Sequence, residues 1–351
     1  MRFLKCFYEK NTVFFSFLLM LSCKEAEAPY VKIPLVFEKP ANFPDLAYNL
    51  EANPPTEKGF ELGKKLFYEG KLSSDGTISC GFCHLQANAF THHGHQFSHG
   101  IDDQQGVRNT PPIQNAAFLK QFMADGATDN LNRFSILPIT NPVEMNETIG
   151  GVLDKLKADN EYQKLFEQAF DDGKINMSNM LKALSQFMMM LVSSNSKYDK
   201  YVRNEEGGNF TAQEKQGLAS FKEKCASCHQ TDLFTDDSFR NNGLAEHPIL
   251  KDLGRAKVTL DEKDNFKFKV PSLRNIALTK PYMHDGRFYT LKRVLDFYSN
   301  DVQNTPNLDP ILKHSDGRLG IALSEEEKEN ILVFLNTLTD LEFITDERFS
   351  E

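Results

Sequence analysis

Two pentapeptides, CGFCH from Cys80 to His84 and CASCH from Cys225 to His229, carry the most specific chemistry in this 351-residue chain. Cys-x-x-Cys-His is the attachment signature of a c-type haem. The two thiols add to the porphyrin vinyls as thioethers, and the histidine that follows is placed to ligate the iron. The motifs use every cysteine except Cys6 and Cys23, which stand near the start of the chain. Two disulfides or a zinc site would draw on the same four thiols, but neither requires a histidine directly after each pair. The chain therefore reads as a di-haem cytochrome with two covalently bound haem c groups.

Each motif needs a helix to carry it and a packed wall behind it. PTEKGFELGKKLFYEG leads into Cys80 and TAQEKQGLASFKEK into Cys225, both with helical patterning. The second opens with a capping box, Thr211 followed by Glu214. Both carry Gly-x-x-x-Phe, at Gly63–Phe67 and Gly217–Phe221, which is a trace of duplication and allows two helices to approach closely. Helical segments continue between the motifs, among them MSNMLKALSQFMMMLVSS. Met188, Met189 and Met190 point around such a helix rather than to one face, so they read as core filling. Ser324 with Glu327 caps a last helix, and strand signals are short and few. The fold class is mostly α, with two cytochrome c-like domains that each hold one haem. Polar VRNEEGGN, Val202 to Asn209, marks the junction between a first domain over 51–205 and a second over 206–351.

The start of the chain is of another kind. Arg2, Lys5 and Lys10 precede an apolar run from Val13 to Leu21, and Ser22-Cys23 follows. That layout is a secretory signal over 1–22, with a linker over 23–50. LMLSC is similar to a bacterial lipoprotein box, so Cys23 is the expected lipid anchor of a periplasmic protein. No run of eighteen apolar residues occurs in the body of the chain, so no spanning helix is expected there. Cleavage removes three cations and one anion and makes a chain of formal charge −9 more acidic still. Such a surface disfavours nucleic acid and favours a basic protein partner.

Six blocks occur in order over nearly the whole mature chain: LGKKLFYEGKLSSDGTISCGFCH, GVRNTPPIQNAAF, ILPITNPVEMN, VSSNSKYDKY, FKEKCASCHQTDLFTD and FKVPSLRNIALTKPYMHDGRFYTL. With them the chain resembles the bacterial di-haem cytochrome c peroxidase family, which includes the MauG-type enzymes. The resemblance implies two cytochrome c-like helical domains, a calcium ion near their interface, a C-terminal segment folded back on the first domain, and chemistry on hydrogen peroxide.

The resemblance also implies site residues. Counting fourteen residues from His284 of PYMHDG, where the family's methionine ligand stands, gives Tyr298. MauG-type members carry tyrosine there and use its phenolate, so Tyr298 is the expected partner of His229 on the second iron. Met283 is the alternative. Phenolate stabilises ferric and higher iron, whereas thioether raises the potential. His84 is the proximal ligand of the first haem. Across from it, the loop THHGHQFSHG supplies His92, His93, His95 and His99, which read as a solvated loop. Ile101 falls where resting peroxidases of the family place a histidine, so the first iron is expected to be open. Glu144 of NPVEMN matches the family's distal acid–base glutamate, and Pro138 matches a pocket proline. Two departures stand out: Phe134 replaces the family's pocket glutamine, and Ala124 falls where an inter-haem tryptophan is usual, in a chain without tryptophan. Asn109, with carbonyls of Thr279 and Pro281, matches the calcium site, and these are hard oxygen donors. Arg274 is expected on a haem propionate, and His284 lies in the inter-haem region. The function these residues imply is peroxide reduction at the first haem. Electrons would reach it through the second, from a cytochrome c or cupredoxin donor or from an aromatic side chain of a partner protein. An ordinary cytochrome c peroxidase and a non-catalytic di-haem electron carrier are the alternatives.

Overall fold

Gly63 and Gly217 explain the architecture. The helix Glu57–Tyr68 (α1) precedes the one-turn helix Cys80–Cys83 (α2), the short helix Ile136–Thr140 (α3) and the long helix Met177–Met189 (α4). Then come Ala212–Lys224 (α5), a two-residue strand pair Phe239–Arg240 (β1) and Phe268–Lys269 (β2), Leu291–Asp296 (α6), Glu325–Asn336 (α7) and Leu341–Thr345 (α8). α1 crosses α4 at Gly63, where an added Cβ would lie 2.0 Å from the Ala183 carbonyl oxygen. α5 crosses α7 at Gly217 in the same way, 2.0 Å from the Asn330 oxygen. Only glycine permits backbones to meet so closely. The phenylalanine four residues on then packs across each crossing, Phe67 on Phe187 at 5.0 Å and Phe221 on Phe334 at 5.1 Å between ring centroids. The duplication is thus a repeated helix crossing, each one leading into a Cys-x-x-Cys-His motif.

The computed structural model describes residues 32–351 apart from His93. The expected signal, the first part of the linker and Cys23 lie outside the described residues. Thr211 and Glu214 form the reciprocal capping box at the start of α5, and Ser324 with Glu327 does the same for α7. The antiparallel pairing of β1 with β2 forms a two-stranded sheet. Among the described residues no helix is long and apolar enough to cross a membrane.

Lys32–Glu351 forms one unit by its internal contacts, with three apolar cores. The first gathers Leu62, Leu66, Phe67, Phe187 and, from the end of the chain, Phe343 and Phe349. The second is built on Leu218, Phe221, Phe234 and Phe334, and the third on Leu244, Phe288, Phe297 and Leu312. Tyr68 donates its hydroxyl to the Phe349 carbonyl at 2.7 Å, which pins the C-terminal segment against α1. Met188 and Met189 are buried in the first core. A wholly buried polar seam ties the halves together. Arg274 and Asp199 pair through two hydrogen bonds of 2.7 and 2.8 Å, and Gln114 donates to the Arg274 carbonyl at 2.7 Å.

Candidate functional site

The ring of His84 is fixed by its own chain. Ser79 caps α2 by accepting the Phe82 N–H at 3.2 Å, and the turn after α2 brings the Phe90 carbonyl to 2.8 Å from His84 Nδ1. The second motif repeats this, with His229 Nδ1 3.0 Å from the Phe234 carbonyl. A donating Nδ1–H leaves Nε2 as the free lone pair, the arrangement that orients a metal-ligating imidazole. Burial holds His84 neutral down to about 4 and lowers His229 in the same sense. Burial also pushes the thiols of Cys80, Cys83 and Cys225 up to about 12. None of the four motif cysteines is paired in a disulfide. Both motifs fit a haem.

The second motif opens on a cavity of about 560 Å³, with Cys225, Cys228 and His229 on one wall. Apolar side chains such as Val270, Leu273 and Ile331 supply much of the rest, as a large planar hydrophobic group requires. Tyr298 and Met283 also line it. Tyr298 lies in a single π-helical turn, Phe297–Asp301, that continues α6; such turns recur at functional sites. Its carbonyl accepts the Ile321 N–H at 2.7 Å, and burial raises its phenol pKa. Tyr298 Oη and Met283 Sδ converge on one nitrogen, Asn242 Nδ2, at 3.5 and 3.7 Å.

Near the first motif, the turn after α3 folds back so that the Pro138 carbonyl accepts the Met145 N–H at 3.3 Å. This sets Glu144 beside Cys83, whose thiol feels its charge. Burial raises the Glu144 carboxyl, against an opposing 2.9 Å hydrogen bond donated by Asn141 Nδ2. Ile101 is buried, and its N–H donates to the Glu144 carbonyl at 2.8 Å. At Gly100 a Cβ would meet the Val143 oxygen at 2.2 Å, so the loop lies directly on the Glu144 turn.

Residues 57–207 match the family described as di-haem cytochrome c peroxidase. The methylamine utilization protein MauG of Methylorubrum extorquens is 35% identical over 86% of this chain and 83% of its own length. The chain belongs to the di-haem cytochrome c peroxidase family. The cytochrome c551 peroxidase of Pseudomonas aeruginosa is 31% identical over 84% of this chain and 83% of its own. A solved MauG-like protein associated with microbial copper homeostasis superposes with a TM-score of 0.80 at 32% identity, covering 90% of this chain and 99% of that one. The chain is thus a di-haem enzyme, and membership implies two c-type haems.

The surroundings of Arg274 and of the histidine loop are specific. Arg274 is fully buried, and four of its five N–H donors are engaged: Nε by the Asp232 carbonyl at 2.7 Å, Nη1 by Ser193 and Asp199, Nη2 by Asp199. Asp199 therefore holds the bidentate anion position that a propionate would need. The cations that line the cavity are Arg240, Lys224 and Lys269 instead. The histidine loop is solvated only in part, with His95 exposed. His92 is buried, and the rings of His92, His95 and His99 cluster with centroids 4.8 to 6.2 Å apart. The His99 carbonyl lies 3.6 Å from Cys83 Sγ while its ring turns to Asp103 at 2.6 Å. His93 lies outside the described residues. Among the described residues no group of three or more His, Cys, Asp or Glu has the geometry to hold a metal ion.

Asn109, Thr279 and Pro281 line the same large cavity. Asn109 ties the histidine loop to the Tyr282–Phe288 turn, donating to the His95 and Gln96 carbonyls at 3.1 Å and, from its backbone, to His284 at 2.8 Å. Phe134 packs on Phe122 at 5.8 Å, and Ala124 accepts the Lys269 N–H at 2.8 Å. Both face the cavity. Beside Ala124 stands Lys269, with Nζ 2.6 Å from Asp237, and nearby His284 stacks on Phe268 at 3.7 Å. The motif FKVPSLRN pointed to the region of Phe268 and Lys269 without assigning either a role. Asn242 gave no signal, because Asn-Asn-Gly reads simply as a turn.

Proposed function

We propose that the chain is an exported MauG-like enzyme that reduces hydrogen peroxide at the His84 haem, with electrons entering through a His229/Tyr298 haem. When bound, the haems supply the redox-active iron at which the O–O bond is cleaved and the route by which electrons reach it. Glu144 takes the proton from the near oxygen and returns it to the far one, so that water departs rather than hydroxide. Two electrons and two protons convert hydrogen peroxide to two waters. The electrons come from a small donor protein or from an oxidisable aromatic side chain of a partner. Pro138 and Ile101 wall the pocket around Glu144, and His284 lies on the path between the haems. Asn109, with the carbonyls of Thr279 and Pro281, holds a calcium ion, and the enzyme works in the periplasm.

One observation carries this reading: Tyr298, partly buried against the third core, lines the cavity that also holds Cys225, Cys228 and His229. Met283 in the same wall supports the second reading, an ordinary cytochrome c peroxidase with a thioether ligand. The resting ferric protein is expected to show one high-spin and one low-spin haem by electron-spin resonance. Tyr298→Met is expected to raise the second haem's potential, since a neutral sulfur replaces an anionic oxygen. If Tyr298→Met leaves potential and spectrum unchanged while Met283→Ala alters them, the second reading holds. Two low-spin haems at rest that stay inert to peroxide would make the protein an electron carrier.

A further inference from the structure

We infer that Asn242 is a positioning residue for the second haem, an amide that donates a hydrogen bond to the Tyr298 oxygen and so selects and tunes the axial ligand. The inference rests on the Tyr298 reading above.

The amide is held from both sides. Asn242 follows β1 in an Asn241-Asn242-Gly243 turn. Asn241 accepts the Gly243 N–H at 2.9 Å and donates to the Pro306 carbonyl at 2.9 Å. Gly243 has φ of +74°, and a Cβ there would meet Val302 at 2.6 Å and the Gln303 oxygen at 2.9 Å. The turn is therefore pressed against the segment that follows Tyr298. The side-chain oxygen of Asn242 accepts the Leu244 N–H at 3.1 Å. With Oδ1 occupied, Nδ2 is the end that faces the cavity, an assignment made from the hydrogen-bond network.

Nδ2 carries two protons and meets two acceptors, Tyr298 Oη at 3.5 Å and Met283 Sδ at 3.7 Å. These acceptors are unequal. A thioether accepts weakly, whereas a hydrogen bond to an ionised oxygen is about twice as strong as one between neutral groups. The amide therefore favours the state in which Tyr298 is the anionic donor and leaves Met283 against the wall. A coordinated phenolate oxygen keeps lone-pair density for Nδ2. A hydrogen bond there draws charge off the oxygen and weakens its donation to iron, the way outer-shell partners tune a metal.

Two variants of the full haem-loaded protein test this. Asn242→Leu keeps the approximate shape and removes the donor. Asn242→Asp keeps an oxygen for Leu244 N–H but sets a negative charge against the phenolate, and it serves if the leucine variant fails to fold. The readouts are the second haem's midpoint potential by spectroelectrochemical titration and its electron-spin resonance g-values. Asn242→Leu is expected to shift the potential negative and move the second-haem g-values, with the first-haem signal unchanged. Asn242→Asp is expected to lose part of the phenolate-ligated signal. No change in either variant, or a positive shift in Asn242→Leu, overturns the inference. Tyr298→Phe separates the two claims. If it alters the second haem while neither Asn242 variant does, the amide has no role and the ligand reading stands. If it leaves the second haem as in the parent, the ligand reading fails and the amide's role with it. A change in Asn242→Leu that Met283→Ala reproduces assigns the amide to the thioether and overturns the inference as stated.

Discussion

Glu144 shows what a single side chain takes from its surroundings. A glutamate in a Pro-Val-Glu turn is ordinarily solvated, but here the turn folds under α3 and the 98–106 loop lies on top. Burial then lifts its carboxyl pKa above the usual range. A proton shuttle in peroxide cleavage must be ionised before it can accept, so activity should fall as pH drops through this raised value. The midpoint should lie above the roughly 4.3 of a free glutamate, measured as the rate of reaction with hydrogen peroxide against pH in stopped flow. Glu144→Gln keeps the shape but cannot take the proton. It should slow that reaction by about 10² or more, the lower bound for a positioned base, and abolish the acid limb, with both haem spectra retained. A variant as fast as the parent would remove Glu144 from the mechanism. At this scale, legibility tracked covalent specificity. The Cys-x-x-Cys-His residues were plain in the sequence because only one chemistry uses that set. Arg274 was less legible, because a motif position does not reveal that Asp199 pairs with the guanidinium.

Among the elements, the two helix crossings were the most legible part of the fold. Gly63 and Gly217 each precede a phenylalanine by one helical turn, and that spacing is preserved because the glycine makes the crossing and the phenylalanine seals it. Gly217→Ala puts a methyl group where the Asn330 carbonyl stands, so α5 and α7 must part. The expected loss is at least about 1–3 kcal/mol, the usual cost of overpacking, read from chemical denaturation followed at the Soret band. Gly150 provides the contrast. It is exposed in the helix Ile149–Lys157 with nothing within 4 Å of an added Cβ, so Gly150→Ala should be neutral or stabilising by up to about 1 kcal/mol. Equal effects of the two substitutions would refute the crossing argument. The loops were less legible. His92, His95 and His99 looked solvated because polar, glycine-rich sequence usually is. The loop is nevertheless held non-locally, with His92 buried and His95 still exposed: Asn109 holds it by its carbonyls from one side, and the Glu144 turn receives it from the other. A two-residue β pair joining 239–240 to 268–269 was likewise too short to announce itself.

For the molecule as a whole, the halves are bound by contacts far apart in sequence, and the end of the chain completes the start. Phe349 packs with Phe60, Phe90 and Phe187, and Tyr68 anchors its carbonyl. Phe349→Ala should cost about 3–5 kcal/mol, as phenylalanine truncations in cores do, and should loosen the His84 haem first. Thermal melting followed separately at the high-spin and low-spin haem bands checks this, and a melt in which the His229 haem loosens first would contradict it. The same tail has a consequence for how the protein is made. A chain emerges from its N-terminus, so CGFCH appears long before CASCH. Yet the second core draws its last member from Leu338, whereas the first still lacks Phe343 and Phe349 at that point. The half that is born first is the last to shut, and its thiols stay within reach of an incoming porphyrin until the final residues arrive.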